Sequence, residues 1–106
     1  MSALCERHCQ AKASRLSGET ARRLLGEIPG WAIEGETLAR SYAFRNFHET
    51  MAFVNLVAYI AHREDHHPDL AVSYNLCRVV YQTHSVNGLS ENDFICAARI
   101  DAADAA

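Results

Sequence analysis

The stretch His62-Arg63-Glu64-Asp65-His66-His67-Pro68-Asp69-Leu70-Ala71-Val72-Ser73-Tyr74-Asn75-Leu76-Cys77-Arg78-Val79-Val80-Tyr81-Gln82-Thr83-His84 decides the fold. It opens inside a helical pattern. Pro68 disfavours helical geometry at His67, so the helix should stop at about Glu64 to His66. Leu70 to Tyr74 and Cys77 to Thr83 then read as the two strands of a hairpin around Asn75-Leu76, with Val72, Val79, Val80 and Tyr81 supplying β-branched and aromatic character. A turn centred between Asn75 and Leu76 sets residue 70 opposite 81 and residue 67 opposite 84. The pairing therefore predicts that His66 and His67 converge on His84.

Upstream, Asn46 caps the same helix and Glu49 completes an N-x-x-E signature. Phe47, Met51, Val54, Ala58 and Ala61 form one apolar stripe, flanked by Phe53, Leu56, Val57 and Ile60. That arc is too wide for a helix touching a single sheet, so part of it should meet a second element or another subunit. Trp31 to Glu34 and Leu38 to Phe44 form an earlier hairpin through Gly35-Glu36-Thr37. There Leu38, Arg40, Tyr42 and Phe44 share a face, and Arg40 breaks its apolar character. Ser17 caps a first helix of about three turns, with Glu19 in the first turn and Ala21, Leu24, Leu25 and Ile28 recurring up to Pro29-Gly30. Beyond Asn87-Gly88, Ser90 and Asp93 make an S-x-x-D start for a last helix carrying Phe94, Ile95, Ala98 and Ile100.

The order α-β-β-α-β-β-α with two hairpins predicts an α+β fold, a four-stranded antiparallel sheet with three helices packed on one face. Residues 1–15 are polar and aperiodic, and read as a flexible or loosely docked N-terminal segment before a single domain over 16–106.

Lys+Arg 10 against Asp+Glu 13 gives a net charge of −3 over 106 residues. That balance argues against a phosphate-backbone partner, which needs clustered Lys and Arg, so no nucleic acid is expected. The longest apolar run, Leu56 to Ala61, is far short of the roughly 20 residues that span a bilayer. The first residues lack a basic segment followed by an apolar one, so the expected location is the cytoplasm. Cys5, Cys9, Cys77 and Cys96 form no paired framework, and reduced thiols are expected. Cys5 and Cys9 with His8 lack a second pair to complete a metal site, while Cys77 and Cys96 fall on apolar faces as buried thiols. No glycine-rich phosphate cradle is present.

Histidines stand at 8, 48, 62, 66, 67 and 84. An imidazole titrates near neutrality, so a gathered pair suits acid–base work. His62 and His66 have the i, i+4 spacing of a helical zinc pair, with Asp93 or His84 as a possible third ligand. Pro68 disrupts that helix end, however, and Arg63 stands where the metalloprotease motif needs Glu, so no metal site is assigned. Ser73, Ser85 and Ser90 lack the strained G-x-S-x-G turn of a nucleophile.

His66-His67-Pro68-Asp69, then Tyr74-Asn75, Thr83-His84 and Gly88-Leu89-Ser90 with Asp93, together resemble the pterin-4a-carbinolamine dehydratases, over Trp31 to Ile100. The resemblance implies a hydro-lyase. Its members dehydrate 4a-hydroxytetrahydropterin to quinonoid dihydropterin without metal or organic cofactor, in the recycling of tetrahydropterin for aromatic amino acid hydroxylases. It implies His66, His67 and His84 as catalytic residues, and Asp65, Gln82, Thr83 and Ser85 with those histidines lining the pterin pocket. Asp93 would support His84, and Pro68 is the other supporting residue. His66 and His84 are taken as the acid–base pair, with His67 orienting the pterin or stabilising charge. The sequence departs from the pattern at His62, where relatives usually have Glu, and at Leu70, where animal members have Trp. The resemblance further implies a homodimer or homotetramer. A non-catalytic regulatory or interaction protein on the same scaffold is the alternative.

Overall fold

The structure, a computed structural model, describes residues 3–105. The elements run α1 (Gly18–Leu25), β1 (Ala32–Glu34), β2 (Thr37–Ala43), α2 (Phe47–Glu64), β3 (Asp69–Val72), β4 (Leu76–Tyr81) and α3 (Glu91–Ala105). The four strands form one antiparallel sheet in the order β1-β2-β4-β3. This is the expected α+β order. Among the described residues no helix is long and apolar enough to cross a membrane.

Capping explains where the helices start. The Ser17 hydroxyl accepts the Thr20 amide, but α1 runs for only eight residues, because the chain turns from Gly26 toward Pro29-Gly30. The first helix is thus shorter than its apolar spacing suggests. Asn46 accepts the Glu49 amide as expected, yet the Glu49 carboxylate reaches past it to the Arg45 backbone amide at 3.1 Å and the Arg45 guanidinium. At the other end of α2, Asp65 adopts a left-handed conformation (φ 51°), and its amide bonds back to Ala61 and His62. The helix stops there, within the expected range, and His66 leaves in a new direction.

The core lies between one sheet face and the helices. Leu38 and Tyr42 of β2 and Cys77, Val79 and Tyr81 of β4 bury against Phe53, Val57 and Ile60 of α2 and Phe94, Ile95 and Ile100 of α3. On α2 the buried stripe is Thr50, Phe53, Val57 and Ile60, which corrects the expectation that Phe47, Met51, Val54, Ala58 and Ala61 lead. Both sets recur at helical spacing. Thr50 can sit in the core because its hydroxyl donates to a backbone carbonyl, that of Asn46 or of Tyr74, each at 2.9 Å.

Arg40 shares the buried face of β2, and its partners explain the break in the pattern. Its guanidinium donates to Asp101 of α3 and to the Pro29 carbonyl, each at 3.2 Å, and lies 4.5 Å from the centre of the Tyr42 ring. Asp101 also accepts from the Trp31 indole at 2.8 Å and the Tyr42 hydroxyl at 2.5 Å. Gly30, at φ +96°, lets the guanidinium through, since a Cβ there would lie 2.8 Å from Arg40 Cζ. These four side chains tie the first hairpin to the last helix.

The N-terminal segment expected to be flexible or loosely docked lies along α3. Leu4 is buried, the Cys9 amide donates to Glu64 at 2.7 Å, and Gln10 exchanges two hydrogen bonds with the Asn92 side chain. The Arg99 guanidinium donates to the Arg7 carbonyl, and Arg7 pairs with Glu91 at 2.9 Å.

Candidate active site

The second hairpin sets the site. Val72 pairs with Cys77, Leu70 with Val79 and Asp69 with Val80, around a tight turn in which the Ser73 amide donates to the Leu76 carbonyl. The turn is centred one residue earlier than expected, between Tyr74 and Asn75, so every pairing shifts by two. Continuing the ladder puts His66 opposite Thr83, instead of His67 opposite His84. An even shift keeps each side chain on its face. His66 therefore follows Leu70 onto the helix side of the sheet, where Thr83 follows Val79 and Tyr81.

There the two residues meet the first turn of α3. His66 Nε2 lies 2.7 Å from Asp93 Oδ1. The Thr83 hydroxyl donates to Asp93 Oδ2 at 2.8 Å, and the Ser90 amide donates to the same oxygen at 2.9 Å. Ser90 Oγ is 2.7 Å from Thr83 Oγ1. Because Thr83 spends its one proton on Asp93, Ser90 must donate to Thr83, which gives a directed chain from Ser90 through Thr83 to the carboxylate. Ser90 and Asp93 are fully buried. The S-x-x-D start of α3 is thus a cap in which Asp93 holds the Ser90 amide and, with its other oxygen, an imidazole.

Asp93 was expected to support His84, and the geometry gives its support to His66. Since a carboxylate only accepts, Nε2 of His66 carries a proton and Nδ1 is left for other work. The ring also stacks on Tyr81, with centroids 5.5 Å apart and planes 14° from parallel. Burial disfavours the charged ring, but the hydrogen bond and charge of Asp93, with Cys96 and Asp65 adding, raise the His66 pKa above its ordinary value.

The other expected residues flank this pair. Thr83 pairs in a bridge with Gly88, its amide bonding the Gly88 carbonyl at 2.9 Å, which pins the loop carrying His84 and Ser85. That loop contains one short 3-10 turn, His84–Val86, closed by Asn87 in a left-handed conformation. His84 and Ser85 are exposed, Gln82 is half-buried, and His67 and Asp65 are exposed at the start of the approach to β3. Side-chain hydrogen bonding joins His66, Thr83 and Asp93, and among the described residues no side-chain hydrogen bond links His67, His84, Gln82 or Ser85 to them. Pro68 stands between the histidines and β3, where its fixed φ keeps the chain extended.

Two contributors were missed. Tyr81 shares the face of Thr83 two residues away, so alternation alone could have named it as a neighbour of His66. The Ser90 hydroxyl was read only as a cap. The sign of the His66 shift makes a prediction: a raised folded pKa contributes stability that is complete below the unfolded value of about 6.5 and is lost as pH rises through the folded value. The Tm of the protein minus that of His66→Gln should fall across that window. A difference that stays flat from about pH 6 to pH 9 would remove the Asp93-stabilised imidazolium.

A family model described as Pterin 4 alpha carbinolamine dehydratase matches residues 14–103. A Nitrosospira multiformis protein named "Putative pterin-4-alpha-carbinolamine dehydratase" is 53% identical over 93 residues, covering 88% of this chain and 82% of that one. A Legionella pneumophila protein of the same name is 48% identical over 100 residues, covering 92% and 88%. Among solved structures, a transcriptional coactivator/pterin dehydratase from Brucella melitensis superposes with a TM-score of 0.80 at 33% identity, over 84% of this chain and 97% of that one. A pterin dehydratase-like protein identified as a RuBisCO assembly factor in the alpha-carboxysome has a TM-score of 0.60 at 22% identity, over 69% and 87%, a likeness of fold alone.

Proposed function

The chain belongs to the pterin 4 alpha carbinolamine dehydratase family, and from that membership we propose that it dehydrates 4a-hydroxytetrahydropterin to quinonoid dihydropterin by histidine acid–base catalysis. The hydrogen-bonded His66–Asp93 pair carries this reading. Loss of the 4a-hydroxyl as water requires a proton on that oxygen, and formation of the new double bond requires removal of a ring N–H proton. His66 suits the first task. Its raised pKa favours the imidazolium near neutrality, Asp93 holds Nε2, and the proton on Nδ1 is the one to give.

His84 takes the second task in this reading, and His67 orients the pterin or stabilises developing charge. Asp65, Gln82, Thr83 and Ser85 lie in the segments that line the pterin, and Asp93, buried with Thr83 and Ser90, fixes the tautomer of His66 and serves as a positioning residue. The product is a substrate for reduction, so the activity fits the recycling of tetrahydropterin beside an aromatic amino acid hydroxylase, in the cytoplasm. Phe47 and Tyr59 on the outer side of α2, 49% and 60% exposed, support self-association as a dimer or tetramer.

The test follows the ultraviolet absorbance of freshly generated 4a-hydroxytetrahydropterin with and without catalytic amounts of protein. Decay faster than in buffer is expected. Decay at the buffer rate from folded protein would overturn the reading and favour a regulatory or interaction protein on this scaffold.

A further inference from the structure

Cys9 and Cys96 lie 87 positions apart in the chain and face one another with their sulfurs 3.5 Å apart. Cys96 is fully buried on α3, while Cys9 is half-buried on the docked N-terminal segment, before the first residue of the family match. A disulfide needs sulfurs about 2.05 Å apart, so closure requires movement of about 1.5 Å. Cys9 belongs to neither a helix nor a strand, and its side chain can supply most of that movement.

The surroundings prepare the pair for oxidation. The Cys9 thiol is within reach of the Asn92 carbonyl at 3.6 Å as well as the Cys96 sulfur. The hydroxyl of Tyr81 is wholly buried and has no hydrogen-bond partner among the described residues. An unmet phenolic donor is costly in a core, and a thiolate at the neighbouring Cys96 would give it an acceptor. Hydrogen bonding from Cys9 lowers the Cys96 pKa against the opposing effect of burial, and the His66 charge helps. The same contact raises that of Cys9. Of the two thiols, Cys96 is the one that ionises more readily, with Glu64, His66 and Tyr81 as its titratable neighbours. A cavity of about 290 Å³ lined by Cys9, Arg63, Glu64 and Asp65 gives a small oxidant access from the Cys9 side.

We propose that Cys9 and Cys96 are a peroxide-reactive dithiol that closes into a disulfide, fastening the N-terminal segment to α3 behind His66. Cys9 attacks one peroxide oxygen as its proton passes to Cys96. The O–O bond breaks and the departing hydroxide leaves as water by taking up from solvent the proton that Cys96 released on ionising, with Cys9 oxidised to a sulfenic acid. The Cys96 sulfur then attacks Cys9, the S–O bond breaks, and hydroxide departs with the Cys96 proton as a second water. Two thiols and one hydrogen peroxide thus give one disulfide and two waters. The inference does not depend on the dehydratase reading, because its readouts are chemical.

The whole chain is treated with hydrogen peroxide, quenched by thiol alkylation under denaturing conditions, and analysed by intact mass and peptide mapping. The expected result is loss of two hydrogens, one peptide pair joined through Cys9 and Cys96, a raised Tm, and reversal by dithiothreitol. Cys9→Ser abolishes all four, and Cys5→Ser retains them. Should Cys96→Ser fail to fold, Cys9→Ser alone decides, since Cys9 is only half-buried at the edge of the core. A link through Cys5, a link between two chains, Cys9 over-oxidised with no linked pair, or an unchanged thiol count would each overturn the proposal.

Discussion

Replacing His66 by glutamine is expected to lower kcat for carbinolamine dehydration by about 10²- to 10⁴-fold, the range for a positioned proton donor. Glutamine is the informative choice. Alanine would also strip a donor from Asp93, whose carboxylate is wholly buried, and leave that oxygen short of a partner at a cost of about 1–3 kcal/mol. A glutamine amide can still donate toward Asp93 but cannot carry a transferable proton at pH 7. Activity should therefore fall far more than stability. His84→Ala offers the complementary case, because His84 is exposed and its removal leaves no buried group unpaired. If the two residues share one reaction step, the double variant should lose little more than the worse single one. A loss below about fivefold for either, measured under saturating substrate, would move that residue to a binding role.

The second large effect lies at Asp93. Its two oxygens take hydrogen bonds from His66, Thr83 and the Ser90 amide, and the carboxylate itself is wholly buried. Asp93→Ala should lower stability by about 3–5 kcal/mol, as expected when one partner of a buried charged pair is removed. On a chain of this size that is a Tm drop of more than about 10 °C. Asp93→Asn separates packing from chemistry. Its oxygen can keep the Thr83 hydroxyl and the Ser90 amide, which turns its NH2 group toward His66 Nε2. That nitrogen must then accept, so the ring proton moves to Nδ1 and the carboxylate charge that favoured imidazolium is gone. Asp93→Asn should fold, lose activity, and shift the alkaline limb of the kcat profile to lower pH. An unchanged limb, or an unchanged His66 titration by NMR, would show that Asp93 does not set the proton on this ring.

The elements were legible because each carries its own local signal. Caps at Ser17, Asn46 and Ser90 mark helix starts, Pro68 marks a stop, and alternation marks both hairpins. The site was legible in part. Spacing alone brought the 66–67 segment to the 83–84 segment, but the turn at Ser73 to Leu76 admits more than one centre, and moving it by one residue exchanges which histidine meets which partner. Only the packing of α3 selects Asp93 for His66. The α2 stripe was misread because its apolar arc is wide and Thr50, a polar residue, belongs to the buried side. Arg40 with Asp101, and Cys9 with Cys96, pair over 61 and 87 positions, and no local pattern announces contacts of that separation.

The docking of residues 4–10 along α3 bears on the order of events during synthesis. A chain leaving the ribosome carries its first residues, both hairpins and the candidate histidines before Glu91–Ala105 has been made. Until then Leu4 has no helix to cover it, Gln10 lacks Asn92, and His66 lacks its carboxylate. Local turns can form early, but residues 4–10 must wait for Glu91–Ala105, a delay of seconds at about 5–20 residues per second. A fragment ending at Leu89 would therefore leave His66 without Asp93 and Cys9 without the sulfur it faces.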